Sequence, residues 1–219
     1  IAEDDTTGWS TPPAVLILQE VNEGDQVTLR NLLNSEVPGP TWRIATYTNS
    51  DSGGAQACIY RGELLTESVS DHRDIFTGAG RFSDRWRFTI DATNGSTGFW
   101  VYSCHLKASQ GSSNEDLRES GTQAILNNIA TLPSNANIFW GGDFNFYSNS
   151  EPGYDLIAST VGSNAIVDPL GNGSWSGSGN AIKHTQSPRS TSSSGGLVGG
   201  GMDDRFDFVF SSQPAQEAN

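Results

Sequence analysis

Residues 137–145 read NIFWGGDFN, an apolar run of strand character that ends in a carboxylate and an amide. Period-two alternation places Asp143 and Asn145 on one side of the chain and Phe144 on the other. A buried strand should not end in carboxylates unless they are solvated, paired or bound to a cation. The same ending recurs along the chain: AVLILQE (14–20) closes on Glu20, FWVYSCH (99–105) closes on His105, and Asp207 interrupts DRFDFVFSS (204–212). In that last run Phe206, Phe208 and Phe210 form a core stripe opposite Arg205, Asp207 and Val209. Singly, a strand-end Asp is a turn former or helix cap, a strand-end His is a satisfied structural residue, and Asp207 has Arg205 and Arg189 as ordinary ion-pair partners. Their recurrence at strand ends is what points to chemistry.

Outward from these runs, further strands are expected at TWRIATYT (41–48), AQACIYR (55–61) and RWRFTI (85–90), separated by turn-rich segments. Leu29, Leu32, Leu33 and Val37 recur at helical spacing until Pro38-Gly39-Pro40 stops them. Leu117, Ala124, Ile125, Ile129 and Leu132 share a second helical face that starts from a cap near Ser113 or Asn114 and ends at Pro133. A short helix is expected near 154–160. Strands that follow one another without intervening helices argue for an α+β fold of largely antiparallel sheets, not a doubly wound one. The Gly/Ser-rich stretch 171–201 is too long for an ordinary connection and reads as a functional loop or a partly disordered one.

The chain has 219 residues, 35% of them hydrophobic and 17% charged, which fits one globular domain and excludes a coiled coil or a charged disordered chain. The longest apolar run, 14–18, is far too short to span a membrane. Twelve basic against 25 acidic residues give a net charge of −13, so a broad basic face for polyanions is excluded and phosphate chemistry must be local and metal-assisted. Lys107 and Lys183 are the only lysines; this acidic, lysine-poor composition suits a secreted or extracellular protein, the periplasm included. Cys58 and Cys104 lack zinc spacing and sit inside strand runs, which favours two buried thiols over a cross-strand disulfide.

The order LQEV, SCHLKAS, GGDFN and RFDFVF resembles the metal-dependent endonuclease/exonuclease/phosphatase superfamily, and KHTQSPR followed by GMDDRFDF resembles a secreted bacterial branch of it. The resemblance spans roughly 14–212 and implies a two-layer β-sandwich flanked by helices. It implies that Glu20 binds the catalytic cation, Mg²⁺ or Mn²⁺; that Asp143 orients or deprotonates the attacking water; and that Asn145 holds a phosphate oxygen. His105 would donate to the scissile phosphate or protonate the leaving group, and Asp207 would orient a second histidine. Arg85 and His184 are expected at the substrate, with Arg81, Arg87 and Arg189 completing a cationic cleft. The activity implied is Mg²⁺-dependent phosphodiester hydrolysis by a secreted nuclease. The alternatives are a lipid or inositol phosphodiesterase and a non-catalytic surface or assembly module.

The departures are specific. Family members carry a metal-site asparagine on a strand upstream of LQE and an Asp-His pair on a strand downstream of RxDFVF, and neither is found here. The sequence therefore reads as truncated at both ends, with exposed sheet edges that a partner segment or another chain would cover. Ser70-Asp71-His72 spells the terminal motif but lies mid-chain, where a helix cap in a loop is the expected role.

Overall fold

The computed structural model describes residues 12–49, 51, 53–186, 191 and 203–217. Its ten strands are β1 (Val15–Val21), β2 (Trp42–Ile44), β3 (Ala55–Arg61), β4 (Leu65–Glu67), β5 (Arg73–Gly78), β6 (Arg81–Ile90), β7 (Gly98–His105), β8 (Ile138–Asp143), β9 (Ile166–Val167) and β10 (Asp207–Ser212). The helices are α1 (Asp25–Glu36), α2 (Ser112–Ile129), α3 (Pro152–Ala158) and α4 (Gln213–Glu217). One sheet has the order β1-β3-β2; the other runs β4-β6-β7-β8-β10-β9, with β5 also paired to the first half of β6. Every pairing is antiparallel except β7 with β8. This is the expected layered α+β sandwich with flanking helices.

Three apolar layers follow from strand alternation. Leu16 and Leu18 of β1 face Leu29 and Leu33 of α1, while Val15 and Ile17 face Trp86, Phe88 and Val101 across the sandwich. Behind the larger sheet, Tyr102, Cys104, Trp140, Phe208 and Phe210 pack against Ile125 and Ile129 of α2 and Tyr154 and Ile157 of α3. Phe206, the first of the phenylalanine stripe, is only half-buried and packs edge-on to Tyr147, with ring centroids 5.0 Å apart. Cys58 and Cys104 are both buried and free.

The strand expected at 41–48 ends at Ile44 because side chains take over the backbone beyond it: Glu67 accepts from the Thr46 amide and the Trp86 indole donates to the Thr46 carbonyl at 2.7 Å. β5 escaped the sequence reading because it opens on two charged residues, Arg73 and Asp74, and only Ile75 and Phe76 in it are large and apolar. Ile75 packs on the helix side, and Asp74 lies directly opposite Asp84. Within 171–201, Trp175 is fully buried against Tyr154 and Phe208, so the loop's first part is anchored in the core; most of 187–202 lies outside the described residues.

Candidate active site

Four strand ends meet at one rim of the sandwich. By simple alternation Glu20 would follow Leu16 and Leu18 toward α1. A bulge between Leu18 and Val21 prevents this, with Glu20 itself at φ 58°. One inserted residue in the left-handed region re-aims the side chain, and strain of this kind is typical of functional positions. Gly54 makes room for the bulge, since a Cβ there would lie 2.7 Å from the Glu20 backbone. As a result the Glu20 carboxylate, 68% exposed, stands 3.5 Å from the His105 Nε2.

His105 closes β7 and Asp143 closes β8, in direct register on the parallel pair, and Asp143 Oδ2 lies 3.8 Å from the same Nε2. The two glycines before Asp143 permit this closeness. A Cβ on Gly142 would sit 2.0 Å from the Cys104 carbonyl oxygen, and one on Gly141 would strike Ile17 across the sandwich at 2.6 Å. Asp207 opposes Asp143 on the antiparallel side, so both carboxylates face the same way. Glu20, His105, Asp143 and Asp207 are thus brought together on one rim.

Electrostatics at the rim follow from crowding. Burial, reinforced by Asp207 and Glu20, pushes the Asp143 carboxyl up to about 7, against a hydrogen bond from the Asn145 amide. Partial burial raises Asp207 too, while a hydrogen bond with Thr185 opposes it. Burial, aided by the Arg81 guanidinium, lowers His105 to about 4, so the imidazole is neutral at physiological pH. Its Nδ1 is buried without a hydrogen-bond partner among the described residues. An orphaned acceptor is tolerated better than an orphaned donor. The proton therefore belongs on Nε2, facing the carboxylates.

Asn145 occupies a left-handed turn at φ 53°. Its backbone N–H donates to Asp143 Oδ1 at 2.9 Å, and its side-chain amide donates to the Leu106 carbonyl at 3.2 Å. It ties the segment after Asp143 to the segment after His105. Arg118 of α2 does the same from beneath. Fully buried, it forms a two-pronged pair with Glu151 at 2.7 and 3.0 Å and also donates to the Lys107 and Ser109 carbonyls, while Glu151 accepts from the Tyr147 amide.

The arginines are distributed differently from expectation. Arg85 points to the opposite face of the sheet, where it donates to the Asp71 carbonyl and to Asn128 and lies 4.7 Å from the Trp100 ring centroid. Arg87 shares that face and pairs with Asp71 at 3.2 Å. Arg205 is buried in a pair with Asp168 at 2.7 and 3.0 Å, so it is not the partner of Asp207. Arg81 alone of the described candidates reaches the rim, donating to the His105 and Leu106 carbonyls. Arg189 lies outside the described residues. His184 is buried with its Nε2 2.7 Å from the Trp175 carbonyl oxygen, and with Asp207 it lines a depression of about 320 Å³. His72 contacts Asp74 and Asp84 instead of Asp207; it enters β5, four strand spacings from β10.

A family model described as the endonuclease/exonuclease/phosphatase family matches residues 6–218. The chain belongs to this family. No curated protein matches. Among solved structures, the human Nocturnin catalytic domain with bound sulfate anion is similar at a TM-score of 0.61, with 18% identity over 92% of this chain and 70% of that one. The D. rerio TDP2 structure complexed with single strand DNA product gives 0.60, with 17% identity over 94% and 73%. A mannosyl-6-phosphatase of Bacteroides thetaiotaomicron gives 0.58, with 14% identity over 91% and 71%. At these identities the likeness is one of fold. Family membership makes phosphate-ester hydrolysis the activity class to weigh against the rim geometry.

Proposed function

We propose that this chain hydrolyses phosphodiesters with the help of a divalent cation held at the rim by Glu20, and that nucleic acid is its substrate class. The supporting observation is the convergence of Glu20 and Asp143 on His105 Nε2 at 3.5 and 3.8 Å. Family membership brings divalent metals into consideration, and the donor set fits a hard cation such as Mg²⁺ or Mn²⁺. Burial, with the Asp207 and Glu20 carboxylates adding to it, raises Asp143, a penalty on its charged form that a cation would offset. When bound, the cation would neutralise charge developing on the phosphoryl oxygens.

The chain's own residues divide the remaining work. Asp143, raised toward neutrality, orients a water and accepts its proton. His105 presents Nε2–H to a phosphoryl oxygen without carrying charge itself. Arg81 adds a fixed positive charge behind it. Asn145 keeps the two strand exits in register, and Asp207 supports Asp143 across the β8–β10 pair. His184, beside Asp207, borders the substrate path.

A second reading, a small phosphate ester, is favoured by the arginines. Arg85, Arg87, Arg118 and Arg205 all have internal partners, leaving Arg81 as the described arginine at the rim. Such a surface grips few phosphates, so binding should depend weakly on salt. Two further parts of the proposal are a secreted setting, supported by the lysine-poor composition, and a strand from this protein or a partner along the outer edge of β1. Among the described residues β1 pairs with β3 alone, on its inner side.

The test compares bis(p-nitrophenyl) phosphate, p-nitrophenyl phosphate and single-stranded DNA, each with Mg²⁺ or chelator. Asp143→Asn should lower kcat on the true substrate by about 10²-fold or more with the melting temperature retained. Unchanged turnover in that variant would remove the proposal. Turnover of the monoester alone would select the second reading.

A further inference from the structure

We propose that His72, Asp74 and Asp84 form a second cation site, separate from the rim, that takes a transition-metal ion of the zinc class. Asp74 and Asp84 are cross-strand partners on β5 and β6. Like charges directly opposite one another destabilise a sheet, so this pair needs either a shared proton or a cation. His72, just after the 3₁₀ turn Val69–Asp71, brings its imidazole over the pair, with Nε2 3.4 Å from Asp74 Oδ1 and 3.6 Å from Asp84 Oδ1. All three donor atoms lie within 4.8 Å of one another, the one such group among the described residues.

Two observations go beyond proximity. The His72 and Asp84 side chains are 9% and 4% exposed, and His72 Nε2 and Asp84 Oδ1 are buried without hydrogen-bond partners among the described residues. A proton shared between the aspartates would leave both of these atoms orphaned, at a cost of about 1–3 kcal/mol each. A cation between them satisfies both at once. The spacing also favours a particular coordination: ligands about 2.0–2.1 Å from a tetrahedral ion stand about 3.3–3.4 Å apart, close to the observed 3.4 and 3.6 Å.

The chemistry selects the ion. An imidazole nitrogen with two carboxylates suits Zn²⁺ or its neighbours and not Mg²⁺, which prefers an all-oxygen octahedron. Asp74, 27% exposed, provides the entry side and leaves a fourth position for water. The site clamps the β5–β6 hairpin to the 3₁₀ turn. Arg81 begins β6 at the tip of that hairpin, so the cation would steady the arginine that reaches the rim.

The test uses the full chain stripped of metal, beside the Glu20→Gln/Asp143→Asn double variant, which disables the rim site. The double variant should take up one Zn²⁺ per chain at equilibrium dialysis, and loading it with Co²⁺ should give the intense visible bands of tetrahedral coordination. Adding His72→Gln or Asp84→Asn to it should weaken uptake by about 100-fold or more and abolish the bands. The proposal is overturned if the double variant binds no stoichiometric Zn²⁺, or if His72→Gln and Asp84→Asn leave uptake unchanged. Should either cluster variant fail to fold, the Co²⁺ spectrum of the double variant decides alone: octahedral bands or none refute the site.

Discussion

Arg118→Met tests whether the buried Arg118–Glu151 pair holds the two exits of the rim in place. Arg118 is fully buried and Glu151 is 4% exposed. Removing the guanidinium leaves the Glu151 carboxylate, among the described residues, with the Tyr147 amide as its donor, and frees the Lys107 and Ser109 carbonyls. Breaking a buried pair by deleting one partner costs about 3–5 kcal/mol, because the other charge stays buried. The two carbonyls add little, since Lys107 is half-buried and Ser109 exposed, so water can replace the lost donor. Methionine keeps much of the side-chain volume, which keeps a cavity out of the sum. At roughly 2–4 °C per kcal/mol for a chain of this size, the melting temperature should fall by roughly 6–20 °C. The assay is urea and thermal unfolding of Arg118→Met, Glu151→Leu and the double variant. The double variant should recover a kcal/mol or more relative to the sum of the singles, since it leaves no buried charge. A loss under about 1 kcal/mol in Arg118→Met, or strict additivity in the double, would refute the reasoning.

Three other outcomes follow from the same structure. Burial raises the Cys58 and Cys104 thiols well above their ordinary value, so neither should react with Ellman's reagent until the protein unfolds; prompt labelling of the native chain would contradict their placement. Gly142→Ala should destabilise the fold on the order of 3 kcal/mol, read from urea midpoints, because its Cβ meets the Cys104 carbonyl at 2.0 Å and φ is +139°. In chelator, stability should fall as pH rises from about 6.5 to 9. Asp143 and Asp84 have folded values raised to about 7 and about 10, so the stability they contribute is complete below the unfolded value and is lost as pH climbs through the folded one. His105 and His72, both lowered, lose their contribution only below about 6.5, so they do not blur this window. A flat profile from 6.5 to 9 would count against the crowded carboxylates.

Much of the larger sheet was legible because its signals are local. Alternation in FWVYSCH and RFDFVF assigns faces directly, and the glycines of GGDFN mark a close approach. The arginines were not legible. RFSDRWRF alternates, so Arg81, Arg85 and Arg87 share a strand face on paper, yet only Arg81, at the strand's first position, can curl over the end to the rim. Arg85 and Arg87 reach Trp100 and Asp71 instead, contacts set by the 3₁₀ turn Val69–Asp71 and, through Asn128, by α2. The role of Asp168 as partner of Arg205 was equally hidden, since 37 positions separate them. His72 and Asp74 carried a readable clue, two potential ligands at i and i+2, but the third, Asp84, comes only with the β5–β6 register.

Glu20 shows why the rim is a property of the sandwich and not of its motifs. His105, Asp143 and Asp207 share one sheet, so strand register alone fixes their spacing. Glu20 comes from the other sheet, and its distance to His105 depends on how the sheets dock. Its neighbour Gln19 sets that docking: it follows Val15 and Ile17 inward and donates to the Ser103 hydroxyl at 2.9 Å, two residues before His105. Gln56 on β3 continues the belt, donating to the Phe82 carbonyl at 3.2 Å on β6. These directional bonds lie between the apolar half of the sandwich around Trp86 and the charged rim. Apolar packing alone is non-directional and would tolerate small slides between sheets. A slide of an ångström would separate Glu20 from His105 while leaving every strand intact. Residue identity in LQE therefore matters twice, with Gln19 registering the sheets and the bulge at Glu20 delivering the carboxylate into the register so fixed.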